Sequence, residues 1–206
     1  MELKLISKSL KLSELDLAYD PQRIQSYCEN CPNFAQNWSC PPLSFSAPEL
    51  FSARDRIFLT ACKIEFSEAE RMVWRGQKID YFNLNFLSEL KRNALQAMRA
   101  LEPVLPGSLA LAFGACDYCK VCSRPTKPCR KPELMRYSLE ALGYDLSFLS
   151  EYYLDLPLLW AQNELPEYFA LLGALVYSTD ALAKWTEARI LDLFKSQLEP
   201  CVSELT

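Results

Sequence analysis

The sequence predicts an α/β or α+β fold: one domain over residues 1–206, with a small mixed sheet flanked by helices and two cysteine-rich metal-binding loops. Three observations lead there. Apolar runs of strand character alternate with segments of helical periodicity, which implies helices packed on a sheet. Half of the 206 residues are apolar and 12% are aromatic, enough to build one core without staples. Seven of the nine cysteines fall in two tight groups, and each group interrupts the regular pattern as a loop.

Taken in order, Arg56–Phe66 (RIFLTACKIEF) is rich in β-branched and aromatic residues and reads as a strand. Leu87, Leu90, Ala94, Met98 and Leu101 recur at spacings of three and four, the stripe of an amphipathic helix, with Pro103 just past its end. Leu109–Phe113 is a short apolar strand that delivers the chain to Cys116. Pro132 suits a first helical position and Gly143 a left-handed residue past a last turn, so a helix is expected between them. Glu167–Tyr177 is apolar throughout, as a central strand is. Thr179 or Asp180 is expected to cap a C-terminal helix whose buried face includes Leu182, Trp185, Ala188, Leu191 and Leu198.

Composition removes several functions. With 22 basic against 26 acidic residues the net charge is −4, and no basic stripe is present, so no nucleic-acid partner is expected. The start of the chain carries charges throughout and lacks the apolar core of a signal peptide. The longest apolar run, Tyr168–Tyr177, is about half of a membrane span, so no membrane partner is expected and the location is read as cytoplasmic. There is no histidine, which excludes Cys/His zinc fingers, Rieske centres and histidine-dependent triads. The five glycines, 76, 107, 114, 143 and 173, are too scattered to cradle a phosphate.

Cys116, Cys119, Cys122 and Cys129 are spaced x2, x2 and x6. The repeated two-residue gap lets one loop wrap three corners of an iron–sulfur cubane, and the longer last gap lets the fourth thiolate return to the same cluster. Zinc is the alternative, but zinc loops pair their cysteines separately, whereas here the middle cysteine belongs to two overlapping pairs. A 4Fe-4S cluster is therefore the favoured cofactor, with a second one conceivable at the other group. Lys120, Arg124, Lys127, Arg130 and Lys131 surround these thiols, a cationic setting suited to an anionic cluster or to an acidic redox partner. The positive end of the helix expected from Pro132 would add to it.

The other group, Cys28, Cys31 and Cys40, precedes Pro41-Pro42 and is one ligand short. Cys62 is the nearby candidate for a fourth thiolate, although its strand position, in register with Phe58, Thr60, Ile64 and Phe66, equally fits a buried small hydrophobe. Trp38 beside Cys40 is expected to shield the site from water, or simply to pack. Cys201 has no cysteine near it and is read as an unliganded tail residue.

The segments C-x-x-C-P-N-F…W-S-C-P-P (Cys28–Pro42) and C-x-x-C-x-x-C…C-R-K-P-E…S-L-E-A-L-G-Y-D (Cys116–Asp145) resemble a bacterial and archaeal domain of unknown function, a family of predicted metal-binding proteins. The resemblance spans about residues 20–180. It implies cysteine-bound metal at both groups and implies no reaction. Arg130, Ser138 and Glu140 match its pattern, and each also has a structural reading, in a turn or on a helix surface.

Three functions remain open: an iron–sulfur redox or electron-transfer module that serves a partner protein, an iron–sulfur enzyme with an open iron at Cys28, Cys31 and Cys40 acting on a small-molecule substrate, and a zinc-stabilised interaction domain. Residues 145–170 hold Asp145, Glu151, Asp155, Glu164 and Glu167 without a single Lys or Arg. That stretch is expected to be a solvated face or to meet the basic loop, within the chain or in a homodimer.

Overall fold

The computed structural model describes residues 1–74, 86–161, 164–179 and 185–202. Its four strands are β1 (Glu2–Lys11), β2 (Arg56–Glu65), β3 (Leu109–Leu111) and β4 (Tyr168–Tyr177). They form one sheet in the order β1-β2-β4-β3, with every neighbouring pair antiparallel. The α+β form of the expected class is therefore the one observed, and the sheet is antiparallel where a mixed one was expected.

β4 is central, as its unbroken apolar run implies, because both of its faces are covered. Phe169, Leu171 and Leu175 face one half of the core, while Leu172, Ala174 and Val176 face the other. β2 divides in the same way: Phe58, Cys62 and Ile64 lie on the first side, Ile57, Leu59 and Ala61 on the second. The edge strand β1 was not expected from the sequence. It sends Leu3 and Leu5 to one side and Ile6 and Leu10 to the other, so its apolar residues show no clean alternation.

The helices are α1 (Pro21–Cys28), α2 (Ala47–Phe51), α3 (Glu68–Trp74), α4 (Ser88–Arg99) and α5 (Glu187–Val202). α4 buries Leu90, Ala94, Leu95, Ala97 and Met98, the face that the sequence periodicity marks out. It packs beside α5 over the first side of the sheet. α5 begins later than expected and buries Ile190, Phe194 and Leu198, with Trp185 and Leu191 partly covered and Ala188 exposed. The Thr179 hydroxyl and amide donate to the Asp55 carboxylate at 2.6 and 2.7 Å, eight residues before α5 begins. Asp180 and Leu182, and the side chain of Cys201, lie outside the described residues.

The second side of the sheet is covered by a 3-10 helix (Leu12–Ala18), α2 and the segment from Leu139 to Leu156. The helix expected between Pro132 and Gly143 does not form; the segment is a series of turns. Tertiary hydrogen bonds override the local signals there. The Ala112 amide donates to the Tyr137 carbonyl at 2.8 Å, which joins residues 112 and 138 in a parallel bridge continuing beyond β3. The Arg136 guanidinium grips the Glu102 carboxylate at 2.6 Å. Gly143 does adopt the left-handed backbone expected of it, with φ +92°. Among the described residues, no helix is long and apolar enough to cross a membrane.

Candidate metal centre

Each cysteine group is delivered by a regular element. Asp20 caps α1 by accepting from the Arg23 amide at 3.1 Å, Pro21 opens the helix, and Cys28 closes it. Tight turns follow, in which the amides of Cys31 and Cys40 donate to the carbonyls of Cys28 and Asn37 at 2.9 and 3.0 Å. α1 is held in place from the 143–145 turn: Asp20 donates its amide to the Gly143 carbonyl at 3.0 Å, and Arg23 pairs with Asp145 at 2.7 Å. Asp145 thus pairs with α1 and not with the basic loop.

The second group leaves β3 through Phe113, whose ring stacks on Phe194 at 6.1 Å between centroids. Gly173 on β4 lies under that ring; a Cβ there would come within 2.5 Å of it. The loop beyond Cys116 folds on itself, with the Ser123 hydroxyl donating to the Pro128 carbonyl at 2.7 Å. Lys131 donates to the Tyr118 carbonyl at 3.1 Å, and Arg130 donates to the Val121 carbonyl.

The two loops are stitched together by four residues. Asn37 donates from Nδ2 to the Cys116 carbonyl at 2.7 Å, while the Cys116 amide donates to the Ser39 hydroxyl at 2.9 Å. Ser39 in turn donates to Asn37 Oδ1 at 3.0 Å, and both side chains are buried. From the other direction, Arg124 donates to the carbonyls of Asn37, Cys40 and Pro42 at 2.9, 2.6 and 2.8 Å. Its guanidinium lies 5.2 Å from the Trp38 ring, and Trp38 donates its indole N–H to the Lys127 carbonyl at 3.0 Å. Trp38 is thus half-buried as a clasp between the loops.

This changes the reading of the basic residues. Arg124, Arg130 and Lys131 donate to loop carbonyls. The helix N-terminus expected at Pro132 contributes nothing, since no helix starts there. Lys120 stays exposed.

All eight cysteines whose side chains are described are free thiols. Their mutual electrostatics fall into two sets. Burial pushes the Cys28 thiol up, with Glu140 and Cys31 adding to it. Cys40 is pushed up to about 11 by burial, against a hydrogen bond from Ser39, with Cys31, Glu140 and Cys28 contributing in the same direction as burial. Cys116 is raised by burial, opposed by a Tyr118 N–H, with Asp117, Cys129 and Cys119 adding to it. The half-buried Tyr137 lies within the electrostatic reach of Cys129 and Arg124.

Metal binding at such thiols releases protons and relieves the repulsion among thiolates. Among the described residues, no group of three or more Cys, Asp or Glu side chains is arranged to hold a single metal ion. What the loops present is free thiols, the donor type that thiophilic metals take.

Cys62 belongs to neither set. It is fully buried on β2 within the core that includes Phe58 and Ile64, and burial alone pushes it up to about 12. Its position fits the small-hydrophobe reading.

Four residues not identified as site residues from the sequence stand out in the structure. Asn37 and Ser39 carry the stitch, and short polar side chains flanking Trp38 between two cysteines were the available signal. Asp117 has a buried Oδ2 without a hydrogen-bond partner, and burial raises its carboxyl, against Arg92 and Lys91. Glu140, named from the sequence only as a pattern match, has a buried Oε2 that also lacks a partner. Burial raises the Glu140 carboxyl too, opposed by its own backbone N–H, Ser138 and Lys91.

No curated protein and no solved structure matches the chain. A family model described as "Predicted metal-binding protein (DUF2284)" matches residues 12–173, a span that contains both loops and the whole stitch between them. The chain belongs to this family of predicted metal-binding proteins.

Proposed function

We propose that the chain is an iron–sulfur protein in which Cys116, Cys119, Cys122 and Cys129 hold a 4Fe-4S cluster, and that it works as an electron-transfer or accessory module for a redox partner. The supporting observation is the loop itself. Four free thiols at gaps of x2, x2 and x6 lie in one self-bonded turn, with Lys120, Arg124, Lys127, Arg130 and Lys131 supplying positive charge. A bound cubane would accept and return single electrons at a potential set by that charge and by solvent access. The chain's own part is to hold the thiols in one loop and to carry cations along that loop.

The test is purification without oxygen, followed by a visible spectrum and counts of iron, acid-labile sulfide and zinc. Cys122→Ser should bleach one cluster. A colourless protein with stoichiometric zinc would sink the iron–sulfur reading and leave the zinc-stabilised interaction domain.

A second reading, an open-iron enzyme, is favoured by one observation at the first group. A cavity of about 220 Å³ lies between Gln25 of α1, Pro41 and Glu140, with Pro41 directly following Cys40 in a group that lacks a fourth cysteine. A small-molecule substrate is the partner this reading implies, and a spin-resonance change on adding cyanide is its check.

A further inference from the structure

We infer that Glu140 supplies the fourth donor, a carboxylate oxygen, to the metal centre whose sulfur donors are Cys28, Cys31 and Cys40. This rests on the reading that these three cysteines bind metal, and it adds a ligand that the cysteine pattern does not contain.

The inference begins with a missing partner. Three thiols leave one coordination position, and Cys62 is enclosed in the core on β2. The turn that carries Glu140 is fixed against both arms of the first group. Gly143 touches Pro21 of α1 so closely that a Cβ would come within 2.8 Å of it, and the cavity wall joins Gln25, Pro41 and Glu140. Gln25 lies one helical turn before Cys28, and Pro41 directly follows Cys40.

Ser138 and Asp145, the polar neighbours of Glu140 in that turn, have evident work. The Ser138 hydroxyl accepts the Ala141 amide at 3.4 Å. Asp145 accepts the Phe148 amide at 3.1 Å and pairs with Arg23. Glu140 Oε2 is buried with no hydrogen-bond partner. A buried carboxylate oxygen left without a donor is costly. Lys91 acts on Glu140 but is shared with Asp117, so it offsets only part of that charge. An iron–sulfur cluster, which spans more space than a single ion, would take the three thiolates at three of its irons and the carboxylate at the fourth, and so remove that penalty. Oxygen is a harder donor than thiolate, so the metal at that corner would be the one that exchanges its ligand most readily.

The experiment compares the full chain with its Glu140→Gln, Glu140→Cys and Cys31→Ser variants after anaerobic reconstitution with ferrous iron and sulfide. Iron, sulfide and zinc per chain are counted, spin-resonance spectra of the reduced proteins recorded, and folding checked by circular dichroism. With both loops loaded, Cys31→Ser should lose about half of the bound iron. Glu140→Gln should lose iron from the same centre, and Glu140→Cys should keep it with a shifted resonance. Wild-type metal content and spectrum in Glu140→Gln, alongside metal loss in Cys31→Ser, would overturn the role of Glu140 and leave the cysteine reading intact. Unchanged metal in Cys31→Ser would overturn both. Should Glu140→Gln fail to fold, Glu140→Cys decides: a resonance identical to wild type removes Glu140 from the ligand set. If the protein takes up zinc instead, the same variants are read as zinc per chain.

Discussion

Arg124 separates two accounts of the basic loop. If its task is to place positive charge beside the thiols, Arg124→Lys should be silent. The structure assigns it a further task, that of joining three carbonyls of the other loop while lying over Trp38. A hydrogen bond from a charged donor contributes about 1.5–3 kcal/mol net, and a cation–π contact at a partly exposed site about 0.5–1 kcal/mol. Water replaces part of this on removal, because Arg124 is only half-buried, so Arg124→Ala should weaken closure of the two loops by about 2–4 kcal/mol. Lysine keeps the charge but replaces a planar fork with a single point donor, and should recover less than half of that. Amide hydrogen exchange over residues 28–42 reads the difference directly: the alanine variant should open roughly 30- to 700-fold more often, with lysine nearer to alanine than to wild type. Wild-type protection in Arg124→Lys would refute the argument and return Arg124 to a purely electrostatic role.

Other perturbations test other parts of the structure. Gly143→Ala puts a side chain at φ +92° and a Cβ 2.8 Å from the Pro21 backbone; urea denaturation should show a loss of about 2–4 kcal/mol, and a loss below about 1 kcal/mol would mean that the turn relaxes freely. Cys62→Ala should cost about 1–2 kcal/mol from the cavity it leaves while bound metal stays constant; a drop in metal with the fold intact would make Cys62 a ligand after all. For Asp145, burial pushes the carboxyl up, but the Phe148 amide and Arg23 outweigh it and hold the group below its ordinary value. Its contribution is therefore fully present above the unfolded value of about 3.9 and lost as pH falls through the lower folded value. Asp145→Asn should flatten the acid side of the stability curve in that window, and equal acid slopes in the two proteins would show that the pair contributes nothing.

Strands buried on both faces were legible because nothing competes with an apolar run: β2 and β4 were found within two residues of their ends, and α4 by its stripe. β1 was illegible because an edge strand half-covered on each side has no face-specific alternation. The segment from Pro132 to Gly143 misled for a different reason. Its capping residues are real turn chemistry, yet the amide of Ala112 claims the Tyr137 carbonyl, and no local pattern announces a partner 25 residues away. At the site, the cysteines were legible from spacing alone. The roles of Asn37, Ser39 and Arg124 were not, since each acts on backbone atoms of the other loop, and a lone Asn or Arg carries no mark of which carbonyl it will reach.

The Asn37–Ser39–Cys116 stitch couples the two loops thermodynamically. Whatever orders one loop prepays part of the entropy of ordering the other, so filling either centre should raise the affinity of its neighbour. By linkage the two affinities must change by the same factor. Loading would then be cooperative, and a chain stripped of metal at one loop would hold the other's less tightly, even though no ligand is shared between them.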